Sequence, residues 1–98
     1  MDMKRVYISG GIIGIDNFAE RFKEKQEQVE NDGYEVVNPA LLGNIMPASS
    51  TWQEYMDICI PLLKMCDYIV MLENWDKSRG ATEELKFALS NGIKQLSI

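Results

Sequence analysis

Histidine is absent from the 98 residues, and the only two cysteines, Cys59 and Cys66, do not form a C-x-x-C pair. A structural zinc site has no donor set here, so no metal is expected. The two thiols stand seven residues apart in one helical segment, too far along a helix to be bridged, which points to reduced core residues in a cytosol. Basic charge is scarce as well: 10 Lys and Arg stand against 15 Asp and Glu, a net charge of −5, with no basic stripe. That disfavours a nucleic-acid polymer as partner. No apolar run approaches membrane-spanning length, and the first nine residues lack the apolar stretch of a signal peptide. The expected location is cytoplasmic, with no membrane partner. Internal repeats and low-complexity tracts are missing too, and the length sets the expectation of one small domain over 1–98.

What is present is an alternation of short β-like runs with helical patterns, which predicts a parallel sheet with crossover helices. RVYIS (5–9) reads as the first strand, followed by the turn-forming GGIIGID. Asp16 reads as the N-cap of a helix through about Asn31, with Phe18, Phe22 and Val29 on its buried side and Gly33 ending it. YEVVN (34–38) is the second strand, stopped by Pro39, and one helical turn is expected around Ala40–Leu42. Thr51 or Ser50 caps the next helix, which runs to about Met65 and is expected to kink at Pro61. DYIVML (67–72) is apolar throughout and therefore central, a last helix spans about Ala81–Ser90 with Gly92 as its cap, and IKQLSI closes the sheet.

Ligands of open parallel sheets bind outside the carboxyl ends of the strands. Three segments meet there: the glycine loop after the first strand, the loop after Asn38, and Glu73–Gly80. Gly10, Gly11 and Gly14 can bring bare backbone N–H groups to a phosphate, or can be plain turn chemistry. Their spacing is not G-x-G-x-x-G, so no dinucleotide cofactor is expected. Tyr7 reads as sheet packing or as a ligand contact. Ser78 and Arg79 offer a hydroxyl and a guanidinium at a helix N-terminus, either for an anion or as a cap and a surface charge.

At about 100° per residue, the face of the last helix toward the sheet is Ala81, Leu85, Ala88, Leu89 and Gly92. Glu83 points away from it and Glu84 lies at its edge, half-buried, where a carboxylate costs desolvation unless something uses it. The helix from Thr51 is apolar over more than half its circumference, a wider arc than one sheet face needs. A homodimer or higher oligomer through Trp52, Tyr55 and Met56 is expected.

Together KRVYISG, YEVVNPA, W-x-EYM, CDYIVMLENW, SRGA-x-x-E and the closing A-x-x-x-G resemble the nucleoside 2-deoxyribosyltransferase-like superfamily, most closely a small bacterial and phage domain family of unestablished function. The resemblance covers nearly the whole chain. It implies a flavodoxin-like or Rossmann-like three-layer α/β domain with a four-stranded parallel sheet in the order 2-1-3-4. It also implies a glutamate nucleophile at Glu84 that attacks an anomeric carbon, a tyrosine in the pocket at Tyr7, and phosphate contacts from Ser78 and Gly10. Gly11, Gly14, Asn38, Arg79 and Gly80 complete the expected substrate site. Two departures stand out: Ile13 replaces an arginine of the nucleotide glycosidases, and Cys59 replaces an aspartate. Asp57 cannot stand in, since two residues turn a helix by about 200°. The expected function is an N-glycosidase or deoxyribosyltransferase acting on a small nucleoside or nucleotide. The alternatives are a catalytically silent binding domain and a structural dimer.

Overall fold

From Val6 onward β1 (Arg5–Ser9) is buried, as expected of a β-branched and aromatic run without proline. In the computed structural model, which describes residues 3–12 and 15–98, β1 is an inner strand of a four-stranded parallel sheet ordered β2-β1-β3-β4. This is the architecture expected from the sequence. β2 (Glu35–Val37), β3 (Tyr68–Met71) and β4 (Lys94–Gln95) are each shorter than their apolar runs suggest. Their hydrogen bonds still reach further, with Asp67 N–H donating to Arg5 O and Leu72 N–H to Ser9 O.

Three helices cover the sheet. α1 (Phe18–Asn31) is capped at Asn17, not Asp16. Asp16 lies in a turn in which Phe18 N–H donates to Ile15 O, and the first helical acceptor is Asn17 O. Gly33 follows with φ +93°, a conformation that favours glycine. Pro39–Asn44 forms a 3-10 helix, longer than the single turn expected. α2 (Trp52–Lys64) opens on a capping box, Thr51 accepting from Glu54 N–H while the Glu54 carboxylate accepts from Thr51 N–H, and it carries Pro61 on its exposed side. α3 (Arg79–Ser90) begins two residues before the sequence pattern suggests, because Ser78 Oγ accepts from Ala81 N–H and caps it there.

The pleat of β1 sorts these helices. Val6 and Ile8 point to α1, where Phe22, Val29, Val70 and Leu72 close one apolar layer. Tyr7 points the other way, to α2 and α3, with Cys59, Leu63, Ile69 and Ala88. Gly10 is required by the first layer: a Cβ there would lie 2.7 Å from Leu72 Cδ1. α2 and α3 each return the chain to the start of a parallel strand, so both N-termini lie at the C-terminal edge of the sheet. Among the described residues no helix is long and apolar enough to cross a membrane.

Candidate functional site

Tyr7 and Ser9 share the α3 side of β1 because strand side chains alternate. Both are fully buried. From α3, the stripe Ala81, Glu84 and Ala88 faces them. The expected face is therefore corrected by rotation of the helix: Leu89 is 58% exposed, and Glu84, at 5%, lies within the buried stripe, not half-buried at its edge. The reason is chemical. Tyr7 Oη donates to Glu84 Oε2 at 2.6 Å, and Ser9 Oγ donates to Glu84 Oε1 at 2.6 Å. Two hydroxyls replace the water that the carboxylate gives up. Ser9 is the residue the sequence did not single out; its signal is its place two residues after Tyr7, on the same face at the strand's end.

Burial pushes the Glu84 carboxyl above the usual carboxylate range, while the bonds from Ser9 and Tyr7, and the Cys59 thiol, pull it back. Burial likewise lifts Tyr7 well above the usual phenol value, with the Glu84 charge adding to it. The Cys59 thiol is pushed up to about 11 by burial, against the opposing influence of Tyr7. Cys59 and Cys66 are free and buried, as expected. The group is thus one carboxylate held by two neutral hydroxyls beside a neutral thiol. Such a carboxylate can attack an electrophilic carbon or stabilise a cationic one.

At the mouth the two helix starts lie side by side: a Cβ on Gly80 would meet Trp52 Nε1 at 3.5 Å and Met56 Sδ at 3.6 Å, ordinary contact distances. The Arg79 guanidinium carbon lies 3.6 Å from the Trp52 ring centroid. Gly11 comes near this edge, with Ser78 Cβ 3.7 Å from where its own Cβ would be. Ser78, Arg79, Gly80, Gly11 and Glu84 are therefore assembled at one edge of the sheet, with Gly10 beside them. Ser78 and Arg79 already have partners within the chain, the Ala81 N–H and the Trp52 ring.

Asn38 is not part of this group. Its Oδ1 accepts from Ala40 N–H and its Nδ2 donates to Gln26 Oε1, so it lines a groove of about 580 Å³ on the α1 side with Phe18, Lys23 and Leu41. Gly14 and Ile13 lie outside the described residues. Asp57 is exposed and accepts from Gln53, on the polar side as expected. Met56 is buried within the chain, its sulfur 3.6 Å from where a Cβ on Gly80 would lie. Among the described residues no three His, Cys, Asp or Glu side chains cluster as a metal site.

No curated protein and no solved structure matches the chain. Residues 4–96 match a family described as a domain of unknown function (DUF4406). Since that match spans nearly the whole sequence, the chain belongs to the DUF4406 family.

Proposed function

We propose that this protein acts on the N-glycosidic bond of a small nucleoside or nucleotide, as a relative of the nucleoside 2-deoxyribosyltransferase-like proteins, with Glu84 as nucleophile. The observation that carries this reading is a carboxylate 5% exposed at the C-terminal edge of a parallel sheet, each oxygen accepting from a buried hydroxyl. A Glu84 oxygen attacks the anomeric carbon, and the carbon–nitrogen bond breaks with its electron pair going to the base, which leaves as it takes up a proton. The glycosyl ester is then opened by water, or by a second base, and the carboxylate is restored. Exclusion of water strengthens the attraction between the carboxylate and the developing positive charge.

The adjoining N-termini of α2 and α3, with the Arg79 guanidinium, favour a substrate bearing an anion. Incubation with deoxynucleosides and their monophosphates, followed by chromatography for free base, tests the reading. Release from a monophosphate supports it, and no release from any member of the panel counts against it. Cys59 favours a second reading, a silent nucleotide-binding domain, because it places a neutral thiol beside Glu84 and no second acid. Thermal stabilisation by a monophosphate without base release would select that reading, and absence of stabilisation would reject it.

Self-association, expected in the cytoplasm as a homodimer or larger, is proposed through the outer side of α2. Trp52 and Tyr55 are partly exposed there, and Ile58 is 39% exposed. Sedimentation equilibrium at micromolar concentration should show a dimer that Tyr55→Glu dissociates; a monomeric parent refutes it.

A further inference from the structure

Ser9 has no exposed surface and closes a strand that is paired on both sides. Its Oγ meets Glu84 Oε1 and the Tyr7 hydroxyl meets Oε2, both at 2.6 Å. A hydroxyl carries one proton, so each donor is committed to the carboxylate and each oxygen is gripped from a different point of β1. The terminal torsion of a glutamate is soft and roughly two-fold. One anchor leaves the carboxylate plane free to swing about the bonded oxygen, whereas two anchors on a rigid strand fix it.

We propose that Ser9 is a positioning residue which, together with Tyr7, fixes the rotational orientation of the Glu84 carboxylate. Its functional meaning rests on the nucleophile reading; its physical content is the hold itself. The titratable groups facing Glu84 are Tyr7 from β1 and Cys59 from α2, both pushed by burial toward their neutral forms. Burial raises the carboxyl's pKa, and the foremost of the contacts that lower it again is the Ser9 bond. Losing it leaves a buried acceptor unsatisfied on one side.

The test is a pH titration of the Glu84 side-chain carboxyl by carbon NMR in the parent, in Ser9→Ala and in Ser9→Thr. Ser9→Ala should raise the midpoint, and Ser9→Thr, which keeps a hydroxyl, should bring it back toward the parent. An unchanged midpoint in Ser9→Ala, or an equal rise in both variants, overturns the proposal. Where the parent releases base, Ser9→Ala should lower kcat on the order of tenfold at nearly constant KM. The acidic limb of its rate profile should move up with the NMR midpoint, and a loss confined to KM overturns the positioning role. A parent that releases no base refutes the nucleophile reading alone, and the NMR comparison still decides whether Ser9 holds the carboxylate.

Discussion

The pleat of β1 sends residues 6 and 8 to one side of the sheet and residues 7 and 9 to the other, and the two faces they serve have opposite chemistry. On the α1 side Val6 and Ile8 meet Phe22, Val29, Val70 and Leu72, and the buried side chains of that layer are all hydrocarbon. On the other side Tyr7 and Ser9 meet a carboxylate, with Cys59 beside it, above an apolar floor of Leu63, Ile69 and Ala88. One strand thus works as ordinary core on one face and as a polar scaffold on the other. The polar pair sits toward the strand's C-terminal end, where a parallel sheet opens to ligands. A buried carboxylate contributes little to stability there even when fully bonded, so its presence calls for a use.

If the faces divide labour in this way, damage to one should leave the other working. Phe22→Ala removes a fully buried ring from the α1 layer and should cost about 3–5 kcal/mol in urea unfolding. The folded fraction should keep the Glu84 titration of the parent; a moved midpoint would show the faces to be coupled. Gly10→Ala forces a methyl to within 2.7 Å of Leu72 Cδ1 and should cost about 1–3 kcal/mol by overpacking. A neutral result would show that Leu72 yields freely and that packing is not what Gly10 serves.

The polar face should show itself in the pH dependence of stability. Burial raises the folded-state pKa of Glu84 above the usual carboxylate value, so in the window between the two the folded chain binds the extra proton. Stability from this group is present below the ordinary carboxylate range and is lost as pH rises through the folded value. Denaturation midpoints measured across that window should therefore fall more steeply for the parent than for Glu84→Gln, which cannot titrate. Parallel curves would contradict the burial. Glu83 is the smallest case. Exposed on the same turn and 3.9 Å from Lys86, it should cost only about 0.3–1 kcal/mol, and less in salt, when changed to Gln.

The parallel sheet was legible because strand and helix patterns alternate along the chain, and its order was legible through the family resemblance. The start of α2 was legible to within a residue because Ser50 and Thr51 both suit a cap; Glu54, which completes a capping box on Thr51, decides between them. The orientation of α3 was not. By hydrophobicity Leu89 belongs inside and Glu84 at the margin, and the reverse holds only because hydroxyls 75 and 77 residues away receive the carboxylate. No helical pattern carries that information. The partners of Asn38 were not legible either: its amide bonds to Ala40 and Gln26, and a place near a strand's end does not foretell them. The Arg79–Trp52 stack joins the starts of two helices and becomes visible only once their packing is known.

The division between the faces matters for function only if Glu84 does chemistry. The most direct measurement is base release from a deoxynucleoside monophosphate by the parent, Glu84→Gln and Glu83→Gln at equal folded concentration. The parent and Glu83→Gln should release base at similar rates, and Glu84→Gln should be slower by orders of magnitude while still binding the monophosphate. Equal rates for the two glutamine variants, or no release by the parent, would contradict the account.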